Sequence, residues 1–296
     1  MAKSNIIEYQ SELNRPLVLD GALGSLLQMS DEQRHPVLWS SYLNITNPEA
    51  VIDLHKKYIK AGADIITTNT FRTNPVAYKK SDLKISNSEF VHRSVELAKT
   101  ASEGNKNIFI AASNPPAEDS YQPERKLSQK QIEENHRDHI DMLWDSGCDF
   151  ILNETQSHFD EIKIISKHCS ENNIPFIISL FITSDIKIMS GEDLAYIFDF
   201  IKDHSPIAIG VNCVYPETFN LLRSKITFNY RWGYYLNCGS GNYNDSEIYE
   251  GVTPSEYGGI VKKYYAPDLF FIGSCCGSTP SHTKAIKDAI DEQKNN

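Results

Sequence analysis

The 296-residue chain is long enough for one large domain or two ordinary ones, and its 40% apolar and 23% charged residues exclude a disordered chain. The net charge of −10, with 39 acidic and 29 basic residues and no basic stripe, argues against nucleic-acid binding. No apolar stretch approaches the length of a membrane span. Residues 1–15 lack the apolar core of a signal peptide, and six cysteines without such a signal are typical of a reducing compartment, so we expect a cytoplasmic protein.

From Leu17 onward, short aliphatic runs alternate with longer segments of helical period. The runs are apolar on both faces, which is typical of a parallel sheet covered on both sides. The predicted strands are Leu17–Ala22, Asp64–Thr70, Asn107–Ser113, Asp149–Thr155, Pro175–Ile182, Pro206–Val214, Arg231–Asn237 and Leu269–Cys275. The predicted helices are Asn47–Gly62, Ser88–Gly104, Ser128–Gly147, His158–Glu171, Gly191–His204, Pro216–Lys225, Thr253–Tyr265 and Ser281–Gln293.

Strict alternation of strands and helices predicts a closed (β/α)₈ TIM barrel in a single domain, in preference to an open doubly wound sheet. Residues 1–16 are interpreted as an N-terminal extension and residues 17–296 as the barrel. Because the carboxyl ends of barrel strands line the active site, polar residues at the predicted strand ends are the candidates for chemistry.

Two acids stand at such ends. Asp20 precedes the turn from Gly21 to Ser25, whose backbone amides can approach a carboxylate closely, and Glu154 ends the fourth strand. The structural alternatives are a local turn cap for Asp20 and an ion pair with a neighbouring base for Glu154. An acid at the end of an apolar strand is costly unless a partner or substrate satisfies it, which favours substrate binding.

Three cysteines also follow strands: Cys213 follows the sixth, and Cys275 and Cys276 end the eighth. In one barrel their sulfurs can converge on a metal ion, and zinc binds thiolates tightly. Three protein ligands leave a fourth position open, as in catalytic zinc sites, where a bound thiol has a lowered pKa and becomes a nucleophile. The alternative is a set of buried inert thiols. Of the other cysteines, Cys148 and Cys169 are interpreted as small buried hydrophobes. The role of Cys238, which follows the seventh strand, is left open.

Several motifs in the chain resemble those of a known protein family. They are Asp20-Gly21-Ala22-Leu23-Gly24-Ser25, Leu38-Trp39-Ser40, the run from Ala61 to Phe71, Asn153-Glu154-Thr155, Gly210-Val211-Asn212-Cys213 and Gly273-Ser274-Cys275-Cys276-Gly277. With these motifs the chain resembles the homocysteine S-methyltransferase family, zinc-dependent (β/α)₈ enzymes that methylate the sulfur of homocysteine to make methionine.

The resemblance implies a role for each candidate. Zn²⁺ would be held by Cys213, Cys275 and Cys276, with the homocysteine sulfur as its fourth ligand. The remaining substrate-binding candidates are Asp20 and Glu154 near the ammonium group, Gly21 and Ser25 in the turn that receives the carboxylate, Asn212, and the aromatic residues Trp39 and Phe71. Rings at the mouth would favour a cationic donor, and ordinary loop packing is the alternative interpretation of Trp39 and Phe71.

For the methyl donor, the compact barrel leaves no room for folate- and cobalamin-binding modules, and it lacks the C-terminal segment of betaine-using members. We expect S-methylmethionine, with S-adenosylmethionine as a poorer donor. Two alternatives stay open: selenocysteine or another small thiol as the acceptor, and a non-catalytic zinc-binding or redox-sensing barrel. The chain departs from the family's Gly-Pro-Tyr-like loop at residues 114–119, on the donor side. The sequence indicates no oligomeric state.

Overall fold

The structure, a computed structural model, describes residues 5–30, 35–243, 248–266 and 268–294, so residues 1–4 of the predicted extension and the last two of the predicted barrel lie outside it. One sheet of parallel strands dominates it, in the order β1-β8-β7-β6-β5-β4-β3-β2. The strands are β1 (Leu17–Val18), β2 (Ile65–Thr67), β3 (Phe109–Asn114), β4 (Phe150–Gln156), β5 (Phe176–Leu180), β6 (Ala208–Asn212), β7 (Trp232–Leu236) and β8 (Leu269–Ser274). A bridge between Leu19 and Ile65 closes the sheet between β1 and β2. The predicted TIM barrel is confirmed.

Helices alternate with these strands. The described helices are α1 (Ile6–Leu13), α2 (Gly24–Ser30), α3 (Leu43–Thr46), α4 (Pro48–Ala61), α5 (Pro75–Lys79), α6 (Asn87–Ser102), α7 (Gln129–Asp145), α8 (Phe159–Glu171), α9 (Leu194–Lys202), α10 (Pro216–Lys225), α11 (Pro254–Tyr264) and α12 (Pro280–Lys294). The long helices match the predicted ones, whereas α1, α2, α3 and α5 were not expected because they are too short for a clear helical period. No described helix combines the length and apolar character needed to cross a membrane.

The first two strands are shorter than predicted. The paired residues of β2 end at Thr67; the Thr68 amide still donates to the Ala111 carbonyl of β3 at 2.9 Å, and Asn69 then bonds to loop residues instead. The side-chain amide of Asn69 donates to the Ser40 carbonyl and to Asn44 Oδ1, each at 2.9 Å. These bonds explain why the polar end of the predicted strand Asp64–Thr70 leaves the ladder.

Successive strand residues alternate between two apolar layers. Leu17, Phe109 and Phe271 belong to the layer inside the barrel, whereas neighbouring residues such as Val18 pack against the helices. Helix α1 contributes Ile6 to the inner layer. The interior is therefore a packed core, which leaves the carboxyl ends of the strands as the place for chemistry.

Candidate active site and metal centre

The three predicted cysteine ligands lie together at the carboxyl ends of β6 and β8. Their sulfurs are all within 4.8 Å of one another, and no other group of potential metal ligands occurs among the described residues. Cys213 and Cys275 are joined as a disulfide. The Cys276 sulfur lies 3.7 Å from that of Cys213 and 3.9 Å from that of Cys275.

This cluster fits zinc in its donor set and in two of its three sulfur separations. Tetrahedral zinc with Zn–S bonds of about 2.3 Å places its sulfurs about 3.8 Å apart, close to both distances measured from Cys276. Ligation by all three residues requires Cys213 and Cys275 as thiolates rather than as a disulfide. Burial raises the pKa of the Cys276 thiol to about 11, and the charge of Glu154 adds to the effect. A bound cation would reverse this preference, because it stabilises the thiolate.

Close backbone approach holds the turn that carries Cys276. Gly277 has a φ of 78°, and a Cβ there would lie 2.5 Å from the Gly239 Cα, so the position requires glycine. The Cys238 amide donates to the Cys276 carbonyl at 2.8 Å. The Cys238 sulfur instead contacts the Leu236 carbonyl at 3.6 Å, which places it outside the cluster.

Asp20 lies at the end of β1 and is almost fully buried. Its carboxylate accepts hydrogen bonds from the Thr67 amide, at 2.8 Å, and from the Thr67 hydroxyl. Burial, together with the charge of Glu154, raises the pKa of Asp20 to about 8, against the lowering effect of the Thr67 hydrogen bonds. No described lysine or arginine forms an ion pair with Asp20 or Glu154. The two carboxyl groups therefore favour the binding of a cationic group beside them.

Glu154 faces the same end of the barrel from β4. It accepts a hydrogen bond from the Ser113 hydroxyl of β3. Burial raises the pKa of Glu154 to about 7, although Ser113 and the Tyr235 hydroxyl both lower it. Two partly protonated carboxyls without a counter-charge can receive an ammonium group, which would restore their ionised forms. Thr67, Ser113 and Tyr235 were not predicted as site residues.

Asn212 connects Thr155, the residue after Glu154 in β4, to the turn that carries Cys213. Its side-chain oxygen accepts from the Thr155 amide and its nitrogen donates to the Thr155 hydroxyl, both at 2.9 Å. Thr155 and Cys213 both have positive φ values, 59° and 54°, which non-glycine residues adopt only when the surroundings hold them. Asn212 thus fixes one acid relative to one sulfur, and its predicted contact with substrate stays a prediction.

The turn after β1 is tied to the cysteine turn. The Gly277 amide donates to the Ser25 hydroxyl at 3.2 Å. The Ala22 amide donates to the Ser278 hydroxyl at 3.0 Å, so this amide is already engaged. A Cβ on Gly21 would lie 2.6 Å from the same hydroxyl, which explains the glycine. Gly21 and Ser25 therefore lie beside the cluster, and their substrate contacts stay predictions.

Trp39 packs the same turn against the loop after β2. A Cβ on Gly24 would lie 2.2 Å from the indole ring, and the indole nitrogen donates to Gln28 at 3.1 Å. The Phe71 ring meets Trp39 edge to face, with centroids 6.5 Å apart. These contacts support the loop-packing alternative for both residues, and substrate contact stays a prediction.

A different aromatic group was missed by sequence reasoning. Tyr121, Phe181 and Tyr243 have ring centroids 4.9 to 5.0 Å apart. Burial raises the pKa of Tyr121, and a negative charge on Cys276 would act in the same direction. The residues come from three separate loops or strand ends, so no local pattern in the sequence groups them.

The loop after β3, which departs from the family pattern, is held in place by buried hydrogen bonds and an ion pair. Asn114 is fully buried and bonds to Asn153 Oδ1 at 2.7 Å and to His139 at 2.8 Å. Glu161 accepts from the Ala117 amide at 2.7 Å and pairs with Arg125 at 2.6 Å. The loop that departs from the family pattern is therefore held by a buried polar network rather than left open.

The family model described as Homocysteine S-methyltransferase matches residues 17–290. The chain belongs to the homocysteine S-methyltransferase family. This membership confirms the resemblance predicted from the motifs and the assignment as a methyltransferase.

Relatives and solved structures match almost the whole chain. The homocysteine S-methyltransferase of Escherichia coli (strain K12) is 23% identical over 97% of this chain and 99% of its own length. Homocysteine S-methyltransferase 1 of Arabidopsis thaliana is 25% identical over 91% of each chain. The homocysteine methyltransferase MmuM of E. coli superposes with a TM-score of 0.77 in its metallated form, at 21% identity, over 96% of this chain and 99% of that one. Its oxidized form gives a TM-score of 0.79, at 22% identity and the same coverage. Both structures share the fold.

Proposed function

We propose that this protein transfers a methyl group from a sulfonium donor to the thiol of homocysteine, forming methionine, with zinc held by Cys213, Cys275 and Cys276. S-methylmethionine is the first candidate donor, and S-adenosylmethionine is a poorer one. The observation that carries the proposal is the convergence of three cysteine sulfurs beside two buried acids that lack a counter-cation. The metallated form of the E. coli relative supports a metal at the cysteine cluster.

The chain's own residues position the acceptor. Glu154 and Asp20 receive the ammonium group of homocysteine, while the turn from Gly21 to Ser25 faces its carboxylate. The Ser25–Gly277 hydrogen bond keeps this turn in register with the cysteines. A zinc ion bound there supplies one chemical effect, which is a lowered pKa of the acceptor thiol.

Methyl transfer then needs alignment rather than a general base. The acceptor sulfur attacks the methyl carbon in line with the leaving group, an S–CH₃ bond forms, and the donor's S–CH₃ bond breaks. The donor's sulfonium leaves as a neutral thioether, and the thiol proton is lost when the acceptor binds. The ring faces of Tyr121 and its aromatic neighbours support a cationic donor near Cys276.

The proposal is tested by measuring methionine formation by the reduced, zinc-loaded protein. Homocysteine is supplied with S-methylmethionine, S-adenosylmethionine, betaine or methyltetrahydrofolate in separate reactions. We expect turnover with S-methylmethionine and slower turnover with S-adenosylmethionine. Turnover with betaine or the folate alone would overturn the donor assignment, and replacing homocysteine by selenocysteine tests the alternative acceptor.

The disulfide between Cys213 and Cys275 favours one second candidate, a redox-sensing barrel without transferase activity. Absence of turnover with every donor in the reduced, zinc-loaded protein would support this second candidate over the first.

A further inference from the structure

A cavity of about 220 Å³ lies between the loop after β2 and the loop after β3. Its volume is below the roughly 300 Å³ at which sites for drug-sized ligands begin, so it suits a small ligand. Both loops leave the carboxyl ends of their strands, the end of the barrel that carries the cysteines. The charged and polar residues that line the cavity include Arg72, Lys80, Glu118, Asp119, Gln122 and Lys126.

Arg72 is a partly buried cation that lines this cavity. Its guanidinium carbon lies 5.5 Å from the centre of the Phe71 ring. Among the described residues, no carboxylate lies within ion-pair distance of the Arg72 guanidinium, and none accepts a hydrogen bond from it. Burial lowers the pKa of Arg72, while the charge of Asp119 raises it, and the guanidinium stays charged. A partly buried charge without a partner in the protein can bind a ligand that supplies the counter-charge.

Arg125, in the same loop region, is an arginine whose charge is paired within the protein. It pairs with Asp160 at 2.8 Å and with Glu161 at 2.6 Å. These two carboxylates satisfy its charge within the protein. Arg72 has no such pair, and this difference sets it apart as a candidate for ligand binding.

Asp119 presents the opposite charge to the same cavity. One of its oxygens accepts the Tyr121 amide at 2.9 Å, which fixes the turn between the two residues. Asp119 forms no ion pair within the described chain, although it influences the Arg72 charge. A cation and an anion that face one cavity without pairing to each other complement a zwitterion.

Tyr121 stands in the chain between two residues that line this cavity, Asp119 and Gln122. Its electrostatic environment includes both Asp119 on the cavity side and Cys276 on the cluster side. Its ring stacks on Tyr243 and meets Phe181 edge to face. A ligand that extends from the cavity along this segment would meet the aromatic surface formed by Tyr121, Tyr243 and Phe181.

We propose that Arg72 and Asp119 bind the amino-acid end of the methyl donor, with its carboxylate on Arg72 and its ammonium group on Asp119. The sulfonium then lies along Tyr121, directed toward Cys276. This inference rests on the proposed function and assigns the donor class: an α-amino acid that carries a sulfonium side chain. The acceptor's amino-acid end is bound separately, by Asp20 and Glu154.

The test compares two methyl donors in Arg72→Met protein. S-methylmethionine carries the amino-acid group, and trimethylsulfonium carries only the sulfonium. We expect the KM for S-methylmethionine to rise about tenfold to hundredfold, as for lost charge-assisted hydrogen bonds. The kcat/KM for trimethylsulfonium and the KM for homocysteine should stay within about twofold of wild type.

Two further variants serve as controls. Arg72→Lys keeps the charge but loses the bidentate geometry, so it should recover part of the S-methylmethionine KM. Lys79→Met removes one exposed positive charge from the same region, outside the cavity lining, and should change KM by less than about twofold. Thermal unfolding checks that each variant is folded.

A calorimetric titration of S-methylmethionine into the zinc-loaded protein, without homocysteine, measures the cavity independently of turnover. Wild type should bind the donor, and Arg72→Met should bind it more weakly by the factor seen in KM. Equal losses for both donors, or a raised homocysteine KM, would overturn the subsite. If no donor is turned over but this titration still depends on Arg72, the proposed reaction fails while the cavity assignment stands.

Discussion

Asp64 and the pair Asp20 and Glu154 are acids at opposite ends of the same barrel, and they have different partners. Asp64 precedes β2 and forms two bonds to the Arg15 guanidinium, at 2.7 and 3.0 Å. It also accepts the Val18 amide at 2.8 Å. The two acids at the other end accept bonds from uncharged groups such as the Thr67 and Ser113 hydroxyls.

We interpret this difference as separating an acid that stabilises the fold from two acids that we propose bind a ligand. Arg15 and Asp64 are both buried, and each supplies the counter-charge that the other needs. For Asp20 and Glu154, burial raises the pKa to about 8 and about 7 because that counter-charge is missing. The carboxyl end of the barrel therefore carries an electrostatic cost that substrate binding can offset.

The largest expected effect is at the cysteine cluster. Cys276→Ala should abolish both tight zinc binding and methyl transfer, because two remaining thiolates hold the metal poorly, while the fold survives because the residue lies outside the packed interior. Metal analysis and circular dichroism measure the two outcomes. Cys148→Ala is the matched control, since it removes a thiol buried in the core. A full equivalent of tightly bound zinc in Cys276→Ala protein would contradict the ligand assignment.

The second expected effect is on stability, and it is larger at Asp64 than at Asp20. Asp64→Asn leaves Arg15 without its counter-charge and should lower the free energy of unfolding by about 3 to 5 kcal/mol, with homocysteine affinity unchanged in the folded protein. Asp20→Asn removes an unpaired acid and should cost far less stability at neutral pH. Denaturant unfolding of both variants makes the comparison. Equal destabilisation by the two substitutions would mean that Asp20 is a structural acid.

The sequence predicted most of the barrel, because each strand and long helix has a strong period and clear end signals. Cys213, Cys275 and Cys276 were predictable because they follow strands whose carboxyl ends meet in any barrel. The Arg72 cavity was not, since it depends on how two loops lie against each other. The Asn114 network was also hidden: its partners Asn153 and His139 belong to separate elements, and only packing brings them together.

A third effect is expected for Glu154→Gln. The substitution removes the negative charge that we assign to the substrate ammonium, so the KM for homocysteine should rise by about one to two decades, equivalent to about 1.5 to 3 kcal/mol. Zinc content should stay at one equivalent. Steady-state kinetics at saturating donor measure the change. Unaltered homocysteine kinetics would make Glu154 a structural acid and remove it from the substrate site.

The smallest expected effect is the change in affinity for the amino-acid group of the substrate with each unit of pH. Burial raises the pKa of Glu154 to about 7, so its carboxylate loses charge as the pH falls through that value, whereas the substrate ammonium stays charged. Affinity should therefore fall with decreasing pH, by at most tenfold, or about 1.4 kcal/mol, per unit below the pKa. The ionisable groups around Glu154 are the Tyr235 hydroxyl, Asp20, Cys276 and Tyr121.

The thiol of homocysteine also releases a proton when it binds a metal, which would mix two pH dependences. L-norleucine carries the amino-acid group without sulfur, so its binding isolates the ammonium contact. Calorimetric titration of norleucine between about pH 5 and about pH 8 should show weaker binding at the acid end for wild type and a flatter profile for Glu154→Gln. A pH profile that persists unchanged in Glu154→Gln would transfer the effect to Asp20, whose raised pKa has the same sign. Affinity that stays constant across the range in wild type would mean that neither acid contacts the ammonium.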